Sequence, residues 1–221
     1  MIIVVAITIV VSVISVVSLV PLLQSQHLTN AYNTTLSAMR QARDNAVSQR
    51  TSYSVTFGGT VNSGGIITSS TITVAPTVTS FGTDSSGASL GGDQNTVVYQ
   101  LPSDVAFSAL SGLASVPPPD GYGSSANSVD FGYTSNGNAG GTTKTVLYFC
   151  PDGSAQTASG CLGAGNWDGG VVYLNGPVVY SGGMPSGYMP NSRAISLWGA
   201  TGRIHGWRLY PSGATYQWVR Q

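Results

Sequence analysis

Two cysteines, Cys150 and Cys161, are the residues whose type and spacing most directly imply chemistry. They enclose the ten-residue segment PDGSAQTASG, and in an oxidising compartment a disulfide that closes this loop is the expected state. Two buried thiols or a pair of metal ligands are the alternatives, but no Cys-x-x-Cys motif is present, and His27 and His205 lie far away along the chain. We therefore predict a disulfide that stabilises the fold by about 2 to 3 kcal/mol.

Motifs of enzyme chemistry match in their letters but not in their context. Residues 87–91, GASLG, fit the nucleophile-elbow pattern, yet they lie in a Gly/Ser-rich loop rather than between a strand and a helix. Residues 121–126, GYGSSA, fit the dinucleotide-binding fingerprint, but a run of prolines precedes them instead of a strand. The chain also has no Glu that could serve as a general acid. We expect no enzyme activity, no cofactor and no small-molecule substrate.

Two aspartates, Asp152 and Asp168, flank the cysteine loop. They could contribute to a calcium site, but calcium takes six to eight oxygen ligands and two carboxylates fall far short of that number. Solvated turn residues are the favoured interpretation, and no metal site is predicted.

Cations and aromatic rings are interleaved near the C-terminus. The residues concerned are Arg193, Trp198, Arg203, His205, Trp207, Arg208, Tyr210, Tyr216, Trp218 and Arg220. Arginines can pair with phosphates while rings stack on bases, which makes Arg203, Trp207 and Arg208 candidate nucleic-acid-binding residues. The other interpretation is a strand pair that closes a sheet, with Trp on its packed side and Arg in solvent. A formal net charge of zero favours the strand pair.

The elements that must position these residues begin with an uncharged segment. Residues 1–20, MIIVVAITIVVSVISVVSLV, would span about 30 Å as a helix, the thickness of a hydrocarbon core. They lack the basic start and small-residue cleavage site of a secretory signal, so a retained transmembrane helix is predicted. The predicted membrane and assembly residues are Ile2, Val5, Ile9, Ser12, Ser15, Ser18 and Pro21. The serines either bond back to their own helix or form a seam for a second helix, and Pro21 is expected to kink or interrupt the helix.

The next segment has the period of an amphipathic helix. Apolar positions recur at steps of three and four residues, at Leu28, Tyr32, Leu36, Met39, Ala42 and Ala46. The helix is expected to run to about Gln49, with this face packed on another element. The predicted organisation is therefore a transmembrane or filament-core helix at 1–21, an amphipathic helix at 22–50 and a β-rich domain at 51–221.

The remainder of the chain has the composition of an exported β-domain. Charged residues make up only 7% of the sequence, and Gly is abundant at 29 residues. Short β-branched or aromatic runs predict strands at 53–57, 66–75, 96–101, 129–133, 144–150, 170–174, 193–198, 203–210 and 215–219. Loops are predicted at 80–95, 117–128, 134–143 and 175–190. The expected fold class is α+β: a long N-terminal helix packed on an antiparallel sheet domain.

This order of elements resembles the type IV pilin superfamily. Residues 36–50, LSAMRQARDNAVSQR, are similar to the helix end of GspH/FimT-type minor pseudopilins, which carry an LxxARxxAxxR run; here Met39 replaces the leucine and Arg50 comes one residue late. Residues 192–204, SRAISLWGATGRI, are similar to the closing strand pair of that family, whose turn ends in Gly-Arg. The resemblance covers residues 1–57 well and about 190–210 loosely.

The resemblance implies a function in assembly. It indicates a structural subunit of a type II secretion system or type IV pilus, anchored by one span in the bacterial inner membrane with its C-terminal domain exported, and assembled with other subunits and membrane lipid. Some FimT-like minor pilins bind DNA for uptake, which is the alternative function for the C-terminal residues. A single-pass surface domain unrelated to filaments is a third interpretation.

One departure from the family concerns the start of the chain. Such proteins carry a basic leader, a cleavage site and a glutamate just before the apolar run, whereas this sequence begins with MIIVVAI. We expect Met1 to be an internal start, with those features encoded upstream in frame. The chain as written would then enter a membrane but assemble poorly, because the intramembrane carboxylate is missing.

Overall fold

The fold is described from a computed structural model. It covers residues 2–61, 67–77, 96–107, 118–121, 128–134, 139–158, 161, 167–176, 180–181, 184–185, 192–212 and 215–221, and in the N-terminal helix it describes side chains from Leu23 onwards.

The chain opens with one long helix, α1 (Ile2–Gln49). Its described buried positions follow the predicted stripe: Leu28, Tyr32, Met39, Ala42 and Ala46 are buried, and Leu36 is half-buried against the same core. The helix ends where Arg50 adopts a left-handed conformation (φ 53°), which breaks the α-helical hydrogen-bond pattern. The predicted amphipathic half is confirmed, and its end at Gln49 is as expected.

The helix is continuous through Pro21, so of the two outcomes expected there, a kink or an interruption, the interruption does not occur. A proline removes one hydrogen bond, and a helix can accommodate that loss locally. The side chains of the predicted membrane and assembly residues (Ile2, Val5, Ile9, Ser12, Ser15, Ser18 and Pro21) lie outside the described part. Among the side chains that are described, no helix is long and apolar enough to cross a membrane.

Antiparallel strands form two main sheets. The first has the order β3 (Val97–Gln100), β2 (Ile67–Pro76), β1 (Tyr53–Val61), β7 (Val146–Phe149), β8 (Ala155–Gln156). The second has the order β14 (Thr215–Arg220), β13 (Arg203–Ser212), β12 (Arg193–Trp198), β9 (Asp168–Asn175), β5 (Val129–Thr134), β6 (Ala139–Lys144), and β4 (Ala106–Phe107) also pairs with β9. Apart from these sheets, β10 (Tyr180–Ser181) pairs antiparallel with β11 (Met184–Pro185).

The core lies where the second half of α1 meets both sheets. The helix contacts β1, β2 and β7 of the first sheet and β9, β12 and β13 of the second. Phe57 on β1 stacks on Phe131 of β5 at 5.5 Å between ring centroids, and the edge of Phe107 completes the cluster at 5.4 Å from Phe57. Burial of these apolar faces is what attaches the helix to the sheets, and the predicted α+β class is confirmed.

Two loop predictions are wrong. Residues 134–143 contain the end of β5 and most of β6, and residues 175–190 contain β10 and β11. The sequence of β6, AGGTTK, has almost no apolar alternation. Its strand conformation comes instead from pairing with β5 at the sheet edge. The predicted loops at 80–95 and, for the most part, 117–128 lie outside the described residues.

Candidate functional site

The Cys150–Cys161 disulfide is formed, as predicted, with the two Cα atoms 5.7 Å apart. Asp152, inside this loop, accepts hydrogen bonds from the backbone N–H of Ser154 at 2.9 Å and from its hydroxyl at 2.6 Å. These hydrogen bonds lower the pKa of Asp152. Asp168 likewise accepts hydrogen bonds from the N–H and hydroxyl of Thr157. Asp152 thus stabilises its own turn, whereas Asp168 is the first residue of β9 rather than a turn residue and ties that strand to Thr157. The described residues contain no metal-binding cluster.

The predicted nucleic-acid-binding residues are divided between the two faces of the second sheet. In the register of β12 with β13, Trp198 pairs with Arg203, Ala194 with Trp207, and Arg193 with Arg208. Because side chains alternate along a strand, Arg203 and Trp207 share one face and Arg208 lies on the other. The Arg208 face is the one against α1: a Cβ on Gly206, two residues earlier, would lie 1.6 Å from Tyr32 Oη. The structure therefore does not bring the three residues together.

Arg208 is half-buried beside a buried arginine. It lies opposite Arg193, which is only 6% exposed, and its guanidinium stacks 4.9 Å from the ring centroid of Tyr210. Burial lowers the pKa of Arg193, and the positive charge of Arg208 lowers it further. Tyr32 and Tyr210 act in the opposite direction. Arg193 therefore belongs to the interior, and Arg208 lies half-buried at its margin.

On the outer face, four polar side chains form one hydrogen-bonded group. Asp120 Oδ2 contacts His205 Nδ1 at 2.9 Å and accepts a hydrogen bond from the Ser196 hydroxyl. The Trp207 indole N–H donates to Ser196 Oγ at 2.8 Å. Asp120 lies in a 3₁₀ turn with φ 59°, a left-handed conformation that non-glycine residues adopt at a cost. The group thus fastens this turn to β12 and β13.

The group contains Ser, His and Asp but lacks the geometry of a catalytic triad. A nucleophilic serine must be hydrogen-bonded to the histidine that takes its proton. Here the Ser196 hydroxyl is fully buried and bonds to Asp120 and Trp207 instead. Sequence reasoning did not find this group, because Asp120 and His205 are 85 residues apart and no local pattern links them.

A cationic pocket lies at the start of β13, beyond the part of this strand that pairs with β14, and it is lined both by residues of the outer sheet face (Arg203, His205 and Arg220) and by the C-terminal half of α1. Its volume is about 370 Å³, and its lining is Arg40, Arg43, Asp44, Gly202, Arg203, Ile204, His205 and Arg220. We call it the arginine pocket. Of the three candidate nucleic-acid-binding residues only Arg203 lines it, together with His205 and Arg220 of the wider C-terminal group. Arg40 and Arg43 were not predicted to join them, since that depends on how α1 docks against the sheet.

Arg43 holds one wall of the arginine pocket in place. Its Nε donates to the Gly153 carbonyl at 3.3 Å and its Nη2 to the Thr201 carbonyl at 3.2 Å. Gly202, in the turn between β12 and β13, has φ 58°, and a Cβ there would lie 2.1 Å from the Gly153 carbonyl oxygen. Only glycine fits this position. The helix end, the disulfide loop and the β12–β13 turn therefore meet at Arg43.

Comparison with known proteins adds nothing to this geometry: no protein-family model, no curated protein and no solved structure matches the chain.

Proposed function

We propose that this chain is a non-enzymatic structural subunit of a pilin-like filament, a minor pseudopilin or minor pilin. The observation that carries the proposal is α1 itself. One continuous helix of 48 residues combines an uncharged N-terminal segment with a C-terminal half that forms part of the domain core. This combination suits a subunit whose helix first crosses the inner membrane and then packs against other subunits in a filament.

The length of the helix supports this division of labour. The first buried side chain among those described is Leu28, so 26 helical residues precede it, equivalent to about 40 Å of helix. A globular domain does not need an uncharged extension of this length for its own folding. In lipid, by contrast, a helix satisfies all of its backbone hydrogen bonds, and small hydroxyl residues such as Ser12 and Ser15 permit close packing of helices.

The pilin-like character of the domain is also part of this proposal. The two segments that resemble GspH/FimT-type proteins, residues 36–50 and 192–204, come from opposite ends of the chain. They are in direct contact, because Arg43 donates to the Thr201 carbonyl. Their contact supports the interpretation that both belong to one arrangement of helix end and closing strands.

Nucleic-acid capture by Arg203, Trp207 and Arg208 is the weaker proposal. These residues do not share a face, and the Trp207 ring is packed with its N–H bonded to Ser196. Base stacking needs an exposed ring beside the phosphate-binding cations. The geometry therefore does not support DNA capture by this set of residues.

Cell fractionation tests the proposal. The tagged chain is expressed from its own reading frame, including any in-frame upstream segment, and surface or periplasmic filaments are separated from membranes. We expect the chain in the inner-membrane fraction after carbonate extraction and in the filament fraction together with other pilin-like subunits. A chain found only in soluble fractions would contradict the proposal. A membrane-bound chain that never copurifies with such subunits would favour the anchored surface domain.

A further inference from the structure

We propose that the arginine pocket is a binding site for closely spaced phosphate groups, as in an oligophosphate or the backbone of a nucleic-acid strand. This inference rests on the proposed function only where it excludes lipid headgroups as the source of the phosphates. It rests on which charges the fold brings together, how those charges are partnered, and what else lines the pocket.

Positive charge is concentrated around the arginine pocket. The chain has seven arginines, and four of them, Arg40, Arg43, Arg203 and Arg220, line this pocket of about 370 Å³ with a single carboxylate, Asp44. A protein with a formal net charge of zero has therefore placed most of its arginines around one cavity. Like charges around one cavity repel each other, and an anion bound between them relieves that repulsion.

Three of these arginines have no side-chain hydrogen-bond or ion-pair partner within the described residues. Arg43 is occupied by the Gly153 and Thr201 carbonyls. Within the described residues, Arg40, Arg203 and Arg220 form neither a side-chain hydrogen bond nor an ion pair; the ion pairs present join His27 to Asp104 and His205 to Asp120. Three guanidinium groups thus retain free donors in the fork geometry that binds phosphate oxygens in pairs.

The volume and the lining of the arginine pocket indicate which kind of anion it can bind. The volume is in the range of small-molecule sites, about 300 to 1,000 Å³, and exceeds the need of one isolated phosphate. Apart from His205, the lining has no aromatic ring on which a base could stack. We therefore expect recognition of phosphates without preference for base identity.

Lipid headgroups are not the expected source of these phosphates. On the proposed function, the uncharged segment ends near Val20, and Arg40 lies 20 residues further along the helix, equivalent to about 30 Å. A headgroup at the end of that segment would not reach the pocket. The remaining sources are a free oligophosphate and a phosphodiester strand.

Binding is measured with the full chain in non-ionic detergent. The probes are sodium tripolyphosphate, followed by the shift in thermal unfolding temperature, and a fluorescent 20-nucleotide single strand of mixed sequence, followed by anisotropy. Arg40→Gln and Arg203→Gln remove uncommitted pocket cations, and Asp44→Asn removes the opposing charge. Arg50→Gln is the matched control, because Arg50 is an exposed arginine of the same helix region that does not line the pocket. Unfolding of every variant is first compared without ligand.

We expect tripolyphosphate to raise the unfolding temperature of the unmodified chain, as any ligand specific for the folded state does. Arg40→Gln and Arg203→Gln should each weaken binding by about fivefold or more, as expected for loss of a charge-assisted phosphate contact. Arg50→Gln should change it by less than about twofold, as expected for a distant, screened charge, and Asp44→Asn should strengthen it. If the strand binds, its log–log salt slope should be about −2, falling by about 0.7 in each pocket variant.

The two probes distinguish the two possible sources of phosphate. Binding of the strand with competition by tripolyphosphate identifies a phosphodiester source, whereas binding of tripolyphosphate alone identifies a free oligophosphate. The inference is overturned if neither probe binds the unmodified chain at low salt, or if Arg50→Gln weakens binding as much as Arg203→Gln. Failure here would leave the filament proposal intact, because that proposal is tested by fractionation.

Discussion

At the scale of single residues, the helix is docked by close contacts that leave little freedom. Gly206 on β13 lies directly under Tyr32 of α1, and burial raises the pKa of the Tyr32 hydroxyl. Tyr32 could be assigned to the packed face of the helix from its spacing alone. The local sequence does not predict that its partner is a glycine, because the contact joins positions far apart in the chain.

Gly206→Ala should therefore destabilise the protein. The new methyl group would overlap Tyr32 Oη, and relieving such overpacking costs about 1 to 3 kcal/mol. Denaturant unfolding followed by tryptophan fluorescence measures the loss. Gly176→Ala is the control, since a Cβ there meets no atom within 4 Å. Equal stability of the two variants would show that α1 does not rest on β13 in this way.

Asp152 gives a pH-dependent prediction. Hydrogen bonds from Ser154 lower its pKa in the folded state, so the ionised carboxylate stabilises the fold above the ordinary aspartate pKa, and that contribution is lost as the pH falls through the lowered value. Asp152→Asn should lower the unfolding temperature at pH 7 and have a progressively smaller effect below about pH 4. A deficit of the same size at pH 3 and pH 7 would contradict this assignment.

At the scale of elements, the spacing of apolar residues correctly predicted the helix and strands whose side chains form the core. The buried stripe of α1 and strands such as β9 and β12 were expected, because their side chains form the core. The segments β6, β10 and β11 were expected to be loops, since the stretches 134–143 and 175–190 that contain them are rich in Gly, Ser, Pro and Asn. Backbone pairing with a neighbouring strand decides their conformation, and single-sequence patterns do not record it.

The candidate site was predictable only in part, for the same reason. Alternation along β13 already separated Arg203 and Trp207 from Arg208. The arginine pocket, however, requires Arg40 of α1 to lie beside Arg203 of β13, and the Asp120 group requires a turn 85 residues away from His205. Both depend on tertiary packing.

The disulfide should matter to the loop that it closes. Replacing Cys150 and Cys161 together by Ser should lower the free energy of unfolding by about 2 to 3 kcal/mol, because the unfolded chain regains the entropy of an open loop. Chemical denaturation with and without reductant measures the change. Reductant should destabilise the unmodified chain and leave the double variant unaffected; an unmodified chain insensitive to reductant would contradict the prediction.

The uncharged half of α1 should fail as a membrane segment when a charge is introduced. Ser12→Arg places a cation near its middle, at a cost of about 3 kcal/mol for insertion. We expect the amount of carbonate-resistant chain to fall markedly. Ser37→Arg, at an exposed position of the packed half, is the matched control and should be retained like the unmodified chain. Full retention of Ser12→Arg would count against membrane insertion through this segment.

At the scale of the whole molecule, the overall charge does not show how unevenly the charged residues are distributed along the fold. The net charge is zero and charged residues make up only 7% of the chain, yet four of its seven arginines line one pocket and its first 20 residues carry no charge. An uncharged helical segment, a packed half-helix and a β-domain with a cationic pocket are three surfaces of different chemistry. The proposed subunit would use the first for assembly and keep the third available for an anion.

The most direct test of the filament proposal is photo-crosslinking from the uncharged segment inside assembled filaments. A photoreactive amino acid replaces Ile9, with Val98 on β3, an exposed position of the β-domain, as the comparison site. The account predicts that the Ile9 probe, in sheared filaments, crosslinks to the N-terminal helices of other pilin-like subunits and that the Val98 probe does not. Crosslinking of the Ile9 probe to lipid alone, with the chain absent from filaments, would contradict the account.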